Sequence, residues 1–326
     1  MRPFVVLICF LAVFSFHSCR QQSDVQMKIV RLEQSLFTIP IDSIQEYIPR
    51  LEQQYGELLD LYSNYVIRIG SPGDPEYPEK LSHFLNDSSM NLVYNRVMEV
   101  FPKLKDIETG LNTAFSNYRK EFPDRVIPSV YTLVSGFNQS IVTVDTILAI
   151  ALDKYLGKNE DMYYWMNLAN YQRQVMDRKY IVPDCMKAWL VTEFAYNDSI
   201  NNVLTNILYQ GKIMYALGQM LPHTPDSLLF GYTPDQLRWC RNNTAQMWTH
   251  IVEKKMLYAT DKFTISKLIK PAPFTSVFPR ESPGRAAVWL GYQIIASYMK
   301  NNNTSLEALL LDDDYQKILA KAKFKP

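Results

Sequence analysis

The chain has 326 residues, 47% of them hydrophobic and 13% aromatic, which is enough apolar side chain for one large core. Lysine and arginine number 34 against 33 acids, a balance that excludes a general electrostatic grip on nucleic acid. Four cysteines are too few for a disulfide framework.

The opening segment, "MRPFVVLICFLAVFSFHSC", has one basic residue, Arg2, an apolar run from Phe4 to Phe14, and a polar step into Cys19. The run falls short of the ~20 apolar residues that span a bilayer, and its order is that of a secretory signal. "FHSC" is similar to the bacterial lipoprotein box, although His17 stands where a small residue is usual. The expectation is a signal peptide over 1–18, a lipidated Cys19, a tether over 19–27 and one α+β domain over 28–326. A lipid bilayer is then the first partner, reached through the acylated Cys19. The leader removes Arg2 and no acid, so the mature chain is formally neutral. Cys185 and Cys240 remain, either as one bridge or as two buried thiols.

"MKIVRLEQSLFTI" reads as a short strand, and "DSIQEYIPRLEQQYGELLDLYSNYVIRIG" as a long helix with Asp42 at its N-cap. "YPEKLSHFLND", "SSMNLVYNRVMEVF" and "KLKDIETGLNTAFSNYRKEFP" predict three more helices. "RVIPSVYTLVSGFNQSIVTVDTILAIAL" alternates β-branched and polar residues, with "SGFNQS" supplying turn chemistry, and predicts an antiparallel hairpin. "VPDCMKAWLVTEFAY" is a helix with Asp184 in its first turn. After it come "SINNVLTNILYQGKIMYALGQMLP", with Ile200 on its apolar face, and helices opened by Thr233 with Gln236, by Ser282 with Pro283, and by Thr304 with Glu307. The sum is a mostly helical single α+β domain with a small antiparallel sheet.

Several chemistries lack their residues. No loop has phosphate-cradling glycine spacing, and "LVSGF" is not a nucleophile elbow. His83, His223 and His250 show no metal-ligand spacing, so neither a metal nor another cofactor is expected. The exception that invites chemistry is Glu193, an acid flanked by large apolar groups.

"VYTLVSGFN", "LAIALDKYLG", "YIVPD", "QGKIMYALGQMLP", "QLRWCRNNTAQMW", "PAPFTSVFPRESPGRAAVWLGYQIIASYM" and the terminal "LLLDDDYQKILAKAKFKP" resemble the gliding-motility lipoprotein family GldB of the Bacteroidetes, from about Val30 to Pro326. The resemblance implies an envelope lipoprotein and a distant relation to predicted zinc-dependent proteases with an HExxH helix, hence a degenerate zincin-like fold. Laid on that pattern, Thr192-Glu193-Phe194-Ala195-Tyr196 keeps only the glutamate. Thr192 and Tyr196 replace both imidazoles, and Gln210 stands near the third-ligand position. Threonine and glutamine are poor zinc ligands, and a general-base glutamate needs metal-activated water. Glu193 is expected to be structural, either buried and paired, with Lys212, Arg238 and Arg285 as candidate partners, or exposed to solvent.

"PAPFTSVFPRESPGR" is too long for a plain connector. It is either an interaction loop using Phe274, Phe278, Arg280 and Arg285, or a rigid strap across the helices. The expected function is a non-catalytic, membrane-anchored component of the cell envelope that binds another envelope protein. The alternatives are a metal-free hydrolase at Glu193 or a binder of a small hydrophobic or glycan ligand.

Overall fold

The computed structural model describes residues 25–326. The expected signal peptide, Cys19 and most of the tether lie outside them. At Val25 the chain is already docked. The amides of Val25, Met27 and Ile29 donate to Ser116 Oγ (3.0 Å), Asn112 Oδ1 (2.8 Å) and Glu108 Oε1 (3.2 Å), side chains about one helical turn apart.

That segment runs into β1 (Ile29–Arg31), α1 (Leu32–Phe37), α2 (Ile44–Tyr55) and α3 (Glu57–Leu61). The long helix expected from Asp42 is therefore broken at Gly56, whose φ of 45° no L side chain adopts readily. Next come α4 (Tyr77–Asn86), α5 (Ser88–Val100) and α6 (Lys105–Glu121), then β2 (Ser129–Leu133), β3 (Ile141–Val144) and β4 (Ile147–Ala151). Short α7 (Asp161–Trp165) and α8 (Asn170–Arg173) lead to α9 (Ile181–Glu193) and α10 (Val203–Met220). The remainder is α11 (Asp226–Phe230), α12 (Pro234–Asn242), α13 (Thr244–Glu253), α14 (Lys262–Ile269), α15 (Ala286–Asn301), α16 (Leu306–Leu311) and α17 (Tyr315–Ala322).

The α+β class holds, but the sheet is mixed. Its order is β1-β2-β4-β3, with β1 and β4 parallel to β2 and only β3–β4 antiparallel. The hairpin turns at Asp145-Thr146, not at "SGFNQS". A buried carboxylate accounts for the difference. Asp153 accepts from the Ser135 and Phe137 amides (2.9 and 2.6 Å) and from Ser135 Oγ (3.0 Å), folding 135–140 into a loop that leaves β2 before the hairpin begins. Burial raises the Asp153 pKa, and these donors oppose the rise.

Two caps also differ. Thr233 and Gln236 form the expected capping box, but α15 begins beyond Ser282 with Arg285 as its N-cap, and α16 is capped by Ser305 rather than Thr304. Ile200 lies before α10 and is exposed.

The major core centres on α10 crossing α15. A Cβ at Gly211 would lie 2.4 Å from the Gly291 carbonyl carbon, and one at Gly291 would lie 2.0 Å from the Ile207 carbonyl oxygen. The two backbones touch, which only glycine permits. Gly218, two turns on, has nothing within 4 Å. Gly211→Ala should therefore destabilise by roughly 1–3 kcal/mol through overpacking, whereas Gly218→Ala should stabilise by up to about 1 kcal/mol. Urea unfolding of the two variants checks this, and equal effects would contradict the backbone contact.

Candidate functional site

Helix α9 carries both acids that matter. Its C-terminal acid, Glu193, is half-buried, with 18% of its side chain exposed. Arg125 Nη1 reaches its Oε2 at 3.2 Å and its carbonyl oxygen at 3.2 Å, and the Tyr118 hydroxyl reaches Oε2 at 3.2 Å. Arg125 also donates to Glu307 Oε1 (3.2 Å), and its guanidinium lies 4.1 Å from the centre of the Phe194 ring. Glu193 thus joins the sheet-side α6 to α16 as part of a structural ion network.

None of the three expected partners is correct. Lys212 donates to the carbonyls of Leu310 (3.2 Å) and Asp312 (3.0 Å), Arg238 pairs with Asp235 (2.9 Å), and Arg285 lies at the other end of α9. Arg125 was missed because nothing local to "TEFAY" marks a partner 68 residues upstream.

The other positions of the HExxH register do not join Glu193. The helix ends at Glu193, so Tyr196 is not one turn above Thr192. Thr192 Oγ1 bonds Thr143 Oγ1 on β3 (2.7 Å), and the Tyr196 hydroxyl bonds Thr205 Oγ1 on α10 (2.5 Å). Gln210 is half-buried on α10. Among the described residues no three His, Cys, Asp or Glu side chains are grouped to hold a metal. His250 packs edge-on against Phe278, while His83 and His223 are exposed. Cys185 and Cys240 are separate buried thiols, and burial pushes Cys240 up to about 12, far from a nucleophile's range.

The segment 271–285 is a strap. Thr275 Oγ1 donates to the Pro283 carbonyl (2.7 Å) and accepts from the Ala286 amide (2.8 Å), and a Cβ at Gly284 would lie 2.1 Å from the Ala272 carbonyl oxygen. Phe278 is buried, so it is no exposed anchor. Phe274 is half-buried beneath the exposed Arg280, whose guanidinium lies 5.8 Å from the ring centre.

The inner edge of this strap and the N-terminal half of α9 enclose a cleft of about 160 Å³. Asp184, Lys187 and Arg285 face it. Three residues apart on a helix, Asp184 and Lys187 share one side. The Tyr155 hydroxyl donates to Asp184 Oδ2 (2.9 Å), and Arg285 Nη2 donates to the Phe230 carbonyl (2.6 Å). Arg285 holds φ 54°, ψ 33°, in the left-handed region, as do six other non-glycine residues among those described. Lys187 has no hydrogen-bond acceptor among the described residues, and neither cation forms an ion pair with Asp184. Burial lowers the Lys187 pKa, Arg285 lowers it further, and Asp184 opposes both; burial raises the Asp184 pKa against the Tyr155 bond and the two cations. The sequence held one clue, Lys187 three residues after Asp184 on the helix, but only Asp184 is read there, as a favourable first-turn acid.

Fold and cleft define a helical α+β protein with an enclosed charged pocket on one helix, and among the described residues no helix is long and apolar enough to cross a membrane. The family model described as "Gliding motility protein GldB" matches residues 18–326, and the chain belongs to this family of gliding-motility lipoproteins. No curated protein and no solved structure matches it.

Two expectations follow. Glu193→Gln should cost roughly 1–2 kcal/mol, and Arg125→Ala should cost more, because it frees two acids and a ring together. Urea unfolding ranks them. Lys187 has a lower pKa folded than its unfolded value of about 10.4, so between the two values the unfolded chain binds more protons and stability rises with pH. The penalty of the buried ammonium is therefore greatest on the acid side. Lys187→Met should raise Tm most at pH 7 and progressively less toward pH 10; a difference independent of pH would contradict the charged lysine.

Proposed function

We propose that this GldB-family chain is a lipid-anchored, non-catalytic component of the bacterial cell envelope that assembles with another envelope protein. The observation that carries the reading is the engagement of Glu193. Its Oε2 is held by a guanidinium and a phenol at a helix end, an arrangement that supports a structural role for this acid. A membrane-side tether completes the picture. If Cys19 is acylated, six residue steps take the chain to the docked Val25, and at ~3.4 Å per residue they span at most about 20 Å. The body is then held against the membrane face, and the contact available to a partner is the outer edge of the strap, with Phe274 as anchor and Arg280 as its polar cover.

The test has three arms in the native envelope. Cys19→Ser should move the protein from the membrane to the soluble fraction. Phe274→Ala should deplete a co-purifying envelope protein without changing Tm by more than a few degrees. Purified protein should show no peptidase activity that Glu193→Gln abolishes. Stoichiometric zinc together with Glu193-dependent peptide cleavage would overturn the reading in favour of a hydrolase.

A further inference from the structure

The cleft under the strap has an unbalanced interior. Arg285, Lys187 and Asp184 face it, yet among the described residues the Lys187 amine has no acceptor and Arg285 uses one donor, Nη2, on the Phe230 carbonyl. The guanidinium has five N–H donors, so its remaining donors are free for a planar anion. Two half-buried basic groups facing one another repel, and the repulsion is relieved by an anion placed between them. Water can hydrate both groups, but a bound anion would in addition favour the charged form of Lys187, which burial and Arg285 disfavour. Asp184 behaves differently. Its Oδ2 accepts from Tyr155, which fixes the carboxylate, and its other oxygen has no partner among the described residues.

We propose that this cleft binds a small ligand bearing a carboxylate with a hydroxyl or amino group beside it, the anion going to Arg285 and Lys187 and the donor to Asp184. The chemistry is shared by a free hydroxy or amino acid and by a peptide's C-terminal residue. Size agrees. A cleft of about 160 Å³, partly open to solvent, suits a small acid or the last residue of a peptide. Tyr232 supports the arrangement from behind, its hydroxyl donating to the Arg285 carbonyl (3.1 Å) and holding the strained residue in place. The site does not depend on the assembly role, since the strap presents Phe274 and Arg280 outward and Arg285 inward.

Calorimetric titration of the detergent-solubilised, full-length lipoprotein tests this with lactate, alanine, acetate, phosphate, alanyl-alanine and alanyl-alanine amide. Lactate, alanine or the dipeptide should bind saturably, and the amide should bind at least about tenfold more weakly than the dipeptide. Arg285→Lys keeps the charge but loses the planar fork, and should weaken binding by about tenfold or more. Asp184→Asn should weaken lactate and alanine and leave acetate unchanged. Tighter binding of the dipeptide than of alanine identifies a peptide terminus; the reverse identifies a free acid. The proposal is overturned if no carboxylate probe binds at concentrations on the order of 10 mM. It is equally overturned if phosphate outcompetes every carboxylate, or if binding is unchanged in both Arg285→Lys and Lys187→Gln. Because Arg285 also braces Phe230, thermal melting of each variant accompanies the titration, and Asp184→Asn serves as the independent variant should Arg285→Lys melt below the assay temperature.

Discussion

The contact between α10 and α15 at Gly211 and Gly291 governs the C-terminal half of the molecule. Two helical backbones in direct contact leave no freedom to slide, since any side chain at either glycine would collide with a carbonyl group. With α15 fixed, its N-cap Arg285 is fixed, and so is the strap that precedes it, pinned by Gly284 against Ala272 and by Thr275. Lys212 follows Gly211 directly and is therefore aimed at the carbonyls ending α16. A cation at a helix C-terminus is favourable, and here it ties the last two helices to the central pair. The cleft is a consequence of this contact. One wall belongs to α9 and the other is delivered by α15.

Three buried or enclosed acids show how structure and site differ in this fold. Glu33 is completely buried, and its two oxygens are used by Arg31 Nε (2.6 Å) and Thr132 Oγ1 (2.8 Å), joining α1 to the sheet. Asp153 is completely buried and accepts from two amides and a hydroxyl, shaping one loop. Both are closed networks in which each carboxylate oxygen already has a hydrogen-bond donor. Asp184 has one hydrogen bond and two cations held off from ion pairing. A network that stays open in the apo protein is costly, and the cost is offset if a ligand closes it.

The legibility of this fold in its sequence follows the range of the interactions. Helices with local signals, such as the Thr233–Gln236 box and α6 ending before Pro123, were read correctly because their determinants lie within one turn. The hairpin was misplaced because "SGFNQS" has ideal turn chemistry and its real partner, Asp153, lies well over ten residues away in sequence. The parallel pairing of β1 with β2 had no local signal either, since it joins Ile29 to Val130. In α9 the helix, its first-turn acid Asp184 and a paired Glu193 were legible, but the partner Arg125 was not. Glu193 attracted attention by its apolar neighbours in sequence, but on a helix the neighbours that matter are those three and four residues away and those on other elements. Asp184, dismissed as a favourable first-turn acid, is the one enclosed with two cations.

The two ends of α9 therefore play opposite parts. At its C-terminus an acid meets an arginine, a tyrosine and a second acid, and the resulting network seals α6, α9 and α16 together. At its N-terminus an acid and a lysine meet an arginine across a space that no side chain fills. A helix closed at one end and open at the other transmits little to the closed end when the open end is filled, because Trp189, Met186 and Cys185 between them are fully buried in a packed core. Occupancy of the cleft is instead felt by the strap, whose inner residue Arg285 and outer residues Phe274 and Arg280 belong to one short, internally bonded segment. The proposed ligand and the proposed partner would therefore bear on two sides of the same internally bonded segment.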